Sequence, residues 1–187
     1  GLGVGLVAVP AAADRLIVEV NAAVPEGVRR FHDIYRRGRP PNREPIPLSA
    51  PGDRIGDDRV WFDPEKLVAV VETDRRDRPY EFREPTADDR AIADNLRGFL
   101  ETEVERSPLF ADSLRIQFGV GSLGNALMAA LGEADLGDRD LIYFGEVIQD
   151  GLLDLLDEGE LTAASATSLA LSAEGQDRLF DEVERYA

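Results

Sequence analysis

The hydrophobic pattern of the first half of the chain predicts two strands separated by a long interruption. Residues 15–21 are rich in β-branched residues and follow a turn-forming segment, which is typical of a buried strand, and residues 66–72 have the pattern of a second strand. Residues 26–59 are rich in Pro, Gly and Arg, a composition that favours loop structure. The apolar residues 1–6 have the pattern of a further strand already inside a domain, so we expect a chain with parts of two domains.

A change of pattern follows Pro85. Thr86 with Asp89 three residues later is typical of a helix start. Apolar residues then recur at helical spacing, at Ile92, Leu96, Phe99, Leu100 and Val104. We therefore place a domain boundary near Pro85, with residues 1–85 closing one domain and residues 86–187 opening the next.

The second half alternates between the two patterns. Strands are predicted at residues 114–118, 141–144 and 161–171, and helices at 125–131, 149–158 and 173–186. Consecutive β-α-β units of this kind build a parallel sheet with right-handed crossovers. The pattern therefore predicts an α/β protein.

Composition excludes several kinds of chemistry. The chain of 187 residues has no Cys and one His, His32, which excludes disulfides, zinc clusters and thiolate nucleophiles. No Gly-X-Ser-X-Gly elbow accompanies the His, and we expect no metal. With 37 acidic and 21 basic residues, the net charge of −16 repels polyanions, so nucleic acid is not expected as a partner.

The chain also lacks the sequence features of a membrane protein. No apolar stretch approaches the roughly 20 residues needed to cross a bilayer, and no signal peptide pattern is present. We therefore expect a cytoplasmic protein without a membrane partner. Lys66 is the one lysine, and an acidic, lysine-poor surface fits either adaptation to high salt or a GC-rich genome.

Residues 119–124, Gly-Val-Gly-Ser-Leu-Gly, form a glycine loop between a predicted strand and a predicted helix. The spacing matches the dinucleotide-binding fingerprint, in which backbone and helix N-terminus approach a phosphate. Glu146, at the end of the next strand, would bind a ribose hydroxyl. One interpretation is thus a Rossmann-like dinucleotide-binding module, and another is a tight turn without a ligand.

Glu146 lies where ligands bind in parallel α/β sheets, at the carboxyl end of a strand. Its carboxylate has three candidate roles: binding a ribose, capping the following helix, or acting as a nucleophile. The local pattern alone favours the cap.

Two long segments resemble one enzyme family. Residues 117–131 and 145–155 are similar to the acetyl-coenzyme A (CoA) hydrolase and succinyl-CoA:acetate CoA-transferase family. Residues 17–21, 43–47, 54–56 and 70–74 resemble the same family in the same order. Several spaced motifs are more specific than one glycine loop, so the resemblance outweighs the dinucleotide interpretation. It implies partial domains of the parallel-sheet CoA-transferase-like (NagB/RpiA/CoA transferase-like) fold.

The resemblance implies a mechanism. Glu146 matches the family glutamate that attacks the acyl-CoA thioester and then carries CoA as a glutamyl thioester, which water or a carboxylate resolves. Val120 matches a family valine whose backbone N–H stabilises the oxyanion. Arg78 is similar to an arginine that handles the carboxylate substrate. CoA enters as a substrate, with acyl-CoA and short carboxylates such as acetate, succinate or propionate as partners.

Other residues are less clearly assigned. Gly119, Val120, Gly121 and Asn125 are expected to contact CoA, although a helix cap is the default interpretation of Asn125. The arginines near His32 would meet CoA phosphates or, as we favour, pair with the chain's own carboxylates.

The chain departs from the family pattern in sequence and in length. Gly145 stands where Thr is usual, and residues 122–124 are Ser-Leu-Gly where Asn-Ile-Ala is commoner. The family has two full domains, of which this chain resembles the end of the first and the start of the second. We therefore expect a homodimer or a complementing segment, and a catalytically incomplete fragment is the remaining alternative.

Overall fold

The computed structural model describes residues 8–36, 38 and 41–187, so the strand predicted at residues 1–6 lies outside the described residues. Two compact units are present. The first comprises the described residues up to Arg78 together with residues 176–187, and the second comprises residues 79–175. The boundary predicted near Pro85 falls inside the second unit, and the assignment of the units to two family domains stays a prediction.

The first unit contains a small parallel sheet. Its elements are α1 (Val9–Ala12), β1 (Leu16–Asn21), 3-10 helices Glu26–Phe31 and Pro64–Lys66, β2 (Leu67–Thr73) and α6 (Val183–Tyr186). Both predicted strands are confirmed to within one residue. The predicted burial of the first strand is wrong, since Ile17 is 66% exposed, and Val68 of β2 is also 55% exposed. Within the described part of the chain this sheet consists of β1 and β2, and most residues of the two strands taken together are exposed.

The Pro- and Gly-rich excursion begins with the 3-10 helix Glu26–Phe31 and is otherwise a loop, as predicted, over its described residues. Within this loop Ile34 and Asp57 form an antiparallel bridge. Beside that bridge, the Asp33 carboxylate accepts the backbone N–H groups of Ile55 and Gly56 at 3.0 and 2.6 Å. These contacts satisfy backbone groups that lie outside any strand or helix.

The second unit is built around a three-stranded parallel sheet with the order β3-β4-β6. Its elements are α2 (Ala87–Arg106), β3 (Ser113–Ile116), α3 (Ser122–Gly132), β4 (Asp140–Phe144), β5 (Val147–Ile148), α4 (Asp150–Asp157), β6 (Leu161–Ser165) and β7 (Ser168–Leu169). Helix α5 (Ala173–Asp181) begins in this unit and continues into the first. The predicted β-α-β-α-β order and its parallel sheet are confirmed.

Three predicted elements differ from the structure. The single strand at residues 161–171 is wrong, because β6 and β7 belong to different sheets and β7 pairs with β5. The final helix is broken at Glu182, whose φ of −121° and ψ of 38° are not helical. Strand β3 ends at Ile116, so the last residues of the predicted strand are already part of the following loop.

Helix α2 starts as predicted and packs differently. Thr86 and Asp89 form a capping box, with the Asp89 N–H donating to Thr86 Oγ1 at 3.1 Å. The predicted apolar face is wrong at its centre, where Ile92, Leu96 and Phe99 are exposed. Small residues make the contact with α3 instead, among them Ala93, Ala126 and Ala130. Small side chains let two helices approach closely, which periodicity of large residues does not reveal.

The core of the second unit holds the sheet against its helices. Its buried members include Leu114, Met128, Leu141, Tyr143, Leu152, Leu155 and Leu161. Burial of a side chain of this size stabilises the fold by about 1.5–3 kcal/mol. The core therefore fixes β3 and β4 side by side and, with them, the loops at their carboxyl ends. Across the described part of the chain, none of the helices is both long and apolar enough to span a bilayer.

Candidate active site

Two loops emerge at one edge of the central sheet. Strands β3 and β4 are parallel neighbours, with Ile116 opposite Tyr143 near their carboxyl ends. The glycine loop follows β3 and Glu146 follows β4. Both predicted features therefore lie at the edge where parallel sheets bind their ligands.

The glycine loop depends on backbone conformations that only Gly adopts easily. Gly121 has a φ of +148° and is the N-cap residue that precedes α3. A Cβ atom on Gly124 would lie 2.6 Å from the carbonyl oxygen of Gly119, so this position allows the first turn of α3 to approach the loop. Helix α3 starts at Ser122, within the loop and three residues earlier than predicted.

Asn125 is therefore not a helix cap. Its backbone N–H donates to the Gly121 carbonyl at 3.0 Å, as expected inside the helix. Its side-chain oxygen is buried and has no partner among the residues that the structure describes. Asn125 lines a cavity of about 530 Å³. The charged residues of its lining are Arg83 and five acidic side chains: Glu84, Glu133, Asp150, Asp154 and Glu158. Because such a lining repels phosphate, contact of Asn125 with CoA stays a prediction.

Glu146 is exposed in the turn between β4 and β5. Its backbone carbonyl accepts the N–H groups of Thr167 and Ser168 at 3.0 and 3.3 Å and the Thr167 hydroxyl at 2.8 Å. The N-cap of α4 is Gln149, so the cap interpretation of Glu146 is wrong. The main chain of Glu146 is thus held by three hydrogen bonds while its carboxylate is open to solvent.

The side chain of Tyr143 connects the segment before the glycine loop with the segment after Glu146. Its hydroxyl is fully buried and lies 3.0 Å from the Val147 carbonyl and 3.3 Å from the Phe118 carbonyl. Burial raises the pKa of Tyr143, and the nearby charge of Glu146 acts in the same direction. A Cβ atom at Gly145 would overlap this hydroxyl and the ring carbon Cζ, so position 145 has no space for a side chain.

Gln149 is a residue of the site that sequence reasoning missed. Its side chain is fully buried, with Oε1 accepting the Gly121 N–H at 3.3 Å and Nε2 donating to the Gly119 carbonyl at 3.5 Å. Next to it, the Asp150 carboxylate accepts the Ser172 hydroxyl at 2.9 Å. The one sequence signal was the position of Gln149 three residues after Glu146.

Arg83 was also missed. Its guanidinium donates to the Asp89 carboxylate at 3.1 Å and to the Ser122 hydroxyl at the start of α3. Hydrogen bonds from Thr86, first from its backbone and then from its hydroxyl, lower the pKa of Asp89 to about 2, and the Arg83 charge acts in the same direction. The guanidinium of Arg83 therefore lies beside the start of the helix that follows the glycine loop, with its charge paired to the ionised Asp89.

The sequence is similar to enzymes of CoA metabolism over most of its length. It is 42% identical over 162 residues to the succinyl-CoA:acetate CoA-transferase of Clostridium kluyveri, covering 87% of this chain and 30% of that protein. It is 40% identical over 176 residues to the acetyl-CoA hydrolase of Eremothecium gossypii, covering 94% of this chain and 33% of that protein. The chain belongs to the acetyl-CoA hydrolase and CoA-transferase family. It spans about a third of the length of these relatives.

Solved structures show that the fold is that of the family. The chain matches RipA from Yersinia pestis with a TM-score of 0.59 and 20% identity, over 97% of this chain and 35% of RipA. It matches a 4-hydroxybutyrate CoA-transferase from Porphyromonas gingivalis with a TM-score of 0.52 and 18% identity, over 93% of this chain and 36% of that one. The predicted CoA-transferase-like fold is confirmed. Comparison with models of known protein families gives no match.

The arginine that resembles a family substrate-binding residue lies in the first unit. Arg78 is exposed and follows β2. The preceding residues are anchored by Asn21, whose side-chain amide donates to the Arg75 carbonyl at 2.6 Å, and by an ion pair of Arg76 with Asp177. Since Arg78 and Glu146 belong to different units, the family role of Arg78 stays a prediction.

Two of the arginines near His32 pair with the chain's own carboxylates, as the sequence favoured. Arg29 lies 3.3 Å from Glu26, and Arg30 forms an ion pair with Glu184. Arg36 donates to the Trp61 carbonyl at 2.8 Å instead, and Arg37 and Arg39 lie outside the described residues. Pairing of this kind leaves less positive charge for the phosphates of CoA. The residues that the structure describes contain no cluster of three or more His, Asp or Glu suited to holding a metal ion.

Proposed function

We propose that the protein carrying this chain transfers CoA between short acyl groups and carboxylates, or hydrolyses acetyl-CoA, with Glu146 as the nucleophile. The supporting observation is that an exposed Glu146 and the glycine loop follow adjacent parallel strands at one sheet edge. Buried side chains of Tyr143 and Gln149 connect these two segments. The names of the relatives support the choice of CoA thioesters as substrates.

The proposed chemistry uses a carboxylate alone. Glu146 attacks the thioester carbonyl carbon, the C–S bond breaks, and the products are a mixed anhydride and CoA thiolate. The thiolate then attacks the Glu146 carbonyl carbon and expels the acyl group as a carboxylate that carries one oxygen from Glu146. Water or a second carboxylate attacks the resulting glutamyl-CoA thioester, so hydrolysis and transfer share this intermediate.

Each attack places negative charge on a carbonyl oxygen, which requires a fixed hydrogen-bond donor. We assign this role to the backbone N–H of Val120, between the two glycines of the loop. Removal of one such donor typically lowers the rate by about 10²–10³. A backbone donor suits a chain in which neither Cys nor a second His is available.

The remaining roles extend the same proposal. Gly119, Gly121 and Asn125 would contact CoA, and Arg78 would bind the carboxylate substrate. Because the chain spans about a third of its relatives, a second copy or a complementing segment would complete the pocket. A cytoplasmic setting suits these substrates, and the net charge of −16 supports adaptation to high salt.

Borohydride trapping tests the nucleophile. After incubation with acetyl-CoA, borohydride reduces a glutamyl thioester to an alcohol, which peptide mass spectrometry locates. We expect the reduced side chain at Glu146 in the unaltered protein and in Glu105→Gln, which changes an exposed carboxylate on α2. No reduced side chain is expected in Glu146→Gln. Reduction at another carboxylate, or equal trapping in Glu146→Gln, would overturn the assignment.

A further inference from the structure

The side-chain amide of Gln149 forms hydrogen bonds with the glycine loop on both sides of Val120. From this geometry we propose that Gln149 is a positioning residue, which orients the Val120 N–H toward the reacting carbonyl oxygen. The inference rests on the proposed function, because it assigns a role to Gln149 in the same site. It does not require Gln149 to touch the substrate.

The two hydrogen bonds act on the two peptide groups that flank Val120. The Gly119 carbonyl and the Val120 N–H belong to one peptide group, so a bond from Gln149 Nε2 to that carbonyl fixes the direction of the N–H. The Gly121 N–H belongs to the next peptide group and is held by Gln149 Oε1. A rotation of either peptide group would break one of these bonds.

The same contact strengthens the donor. A carbonyl that accepts a hydrogen bond polarises its own peptide group, and chains of hydrogen bonds reinforce one another in a low-dielectric interior. Gln149 is 0% exposed, so the side-chain end of both bonds is shielded from water, while the loop end is partly buried. At 3.3 and 3.5 Å both bonds are long, and closure of the site around a substrate is expected to shorten them.

Two features of the local fold serve this contact. Gln149 is the N-cap of α4, yet its side chain makes no capping bond to that helix and bonds to the loop instead. Gly124 leaves space where a Cβ atom would lie 3.5 Å from Gln149 Nε2 and 2.6 Å from the Gly119 oxygen. Since Gln149 follows Glu146 by three residues, one short segment carries the nucleophile and holds the oxyanion loop.

Two substitutions separate the parts of this contact. Gln149→Ala removes both bonds, and we expect amide exchange at Gly121 to accelerate by about tenfold, as for loss of one hydrogen bond. The rate of Glu146 acylation by acetyl-CoA should fall by about 10–100-fold, less than for complete loss of an oxyanion donor, with little change in KM. Gln117→Ala, which alters an exposed glutamine just before the loop, should leave both quantities unchanged.

Gln149→Glu should make the acylation rate depend on pH in a way that a purely structural role of Gln149 would not produce. An ionised carboxylate accepts the Gly121 N–H but cannot donate to the Gly119 carbonyl. Protonation restores that donor, and burial raises the pKa of such a carboxyl group. The acylation rate of Gln149→Glu, divided by that of the unaltered protein, should therefore rise as the pH falls.

The outcomes distinguish this inference from the proposed function. Nuclear Overhauser effects between the Gln149 side-chain amide and the Gly121 amide of the unaltered protein test the contact without any substitution, and their absence would overturn it. Unchanged acylation in a folded Gln149→Ala, or a flat pH ratio for Gln149→Glu, would overturn the positioning role alone. Failure of the unaltered protein to become acylated at Glu146 would overturn the proposed function while the contact itself stands.

Discussion

At the scale of single residues, Tyr143 and Gly145 share one volume. The buried hydroxyl of Tyr143 fills the space that a side chain at position 145 would occupy, and it lies within hydrogen-bonding distance of carbonyls in both loops. Position 145 therefore has no room for a side chain while Tyr143 occupies this space. Resemblance to the family identified Gly145 as a departure but did not identify its contact with Tyr143.

This arrangement predicts coupling between the two positions. Tyr143→Phe should lower the free energy of unfolding by about 1–2 kcal/mol, because it removes the hydroxyl that donates to a partly buried carbonyl at the base of the two loops. Gly145→Ala should also destabilise the protein, since its Cβ atom would overlap the hydroxyl and the ring carbon Cζ of Tyr143. The ring must then move and its hydroxyl hydrogen bond is already lost, so the double variant should lose less than the sum of the two single losses when unfolding is followed in urea. Strict additivity would show that the two positions do not share this space.

Residue roles were predictable where a motif carried them and not where packing decides them. Glu146 and the glycine loop were found from spacing at the ends of predicted strands, and they lie at the same sheet edge. Gln149 and Arg83 act through contacts between distant segments, and nothing in the local pattern marks such contacts. The cap assignments of Glu146 and Asn125 failed because both depended on the first residue of a helix.

At the scale of elements, periodicity located most strands and helices and missed two breaks. The pattern predicts a single strand at residues 161–171 because small and apolar residues continue through the turn at Ala166 and Thr167. In the structure this turn contacts the main chain of Glu146, whose backbone carbonyl accepts the Thr167 N–H and hydroxyl. The break therefore arises from pairing with a distant segment, which a local pattern does not contain.

The junction between the glycine loop and α3 offers a test at the same scale. Gly124→Ala should destabilise the protein by about 1–3 kcal/mol, because the added methyl group would lie 2.6 Å from the Gly119 carbonyl oxygen. Gly98→Ala is the matched control, since Gly98 lies within α2 with nothing within 4 Å of its Cβ position. This control should stabilise the protein by about 0.5–1 kcal/mol. Urea unfolding measures both, and equal effects would contradict the close approach.

At the scale of the whole molecule, the fold class was predictable because it depends on the order of elements. Alternating strands and helices gave the parallel sheet, and ordered family motifs gave its CoA-transferase-like type. The bounds of the two compact units were harder to predict from the sequence. Residues 176–187 belong to the first unit, which reflects contacts between the two ends of the chain, such as those of Arg30 with Glu184.

Several large apolar side chains on both units are exposed, including Ile17 and Val70 on the first and Ile92 and Phe99 on the second. The curated relatives are about three times as long as the matched part of the chain. Exposed apolar surface of this kind is typical of faces that other protein segments cover. The observation fits the proposal that a further segment or a second copy completes the site.

In the proposed mechanism Glu146 forms a covalent bond with the substrate instead of activating water. Turnover of acetyl-CoA in water enriched in the heavy oxygen isotope, followed by peptide mass spectrometry, tests this directly. In the covalent mechanism, water resolves the glutamyl-CoA thioester and leaves the heavy isotope in the Glu146 carboxylate. With heavy-oxygen acetate in ordinary water, transfer places the isotope in the same carboxylate.

We therefore predict heavy oxygen in the Glu146 peptide after turnover, from water if the protein is a hydrolase and from acetate if it is a transferase. Glu105 lies in a separate peptide and provides the internal control, which should remain unlabelled. Heavy oxygen found in the released acetate and not in Glu146 would contradict the account, because it would mean that water attacks the thioester directly.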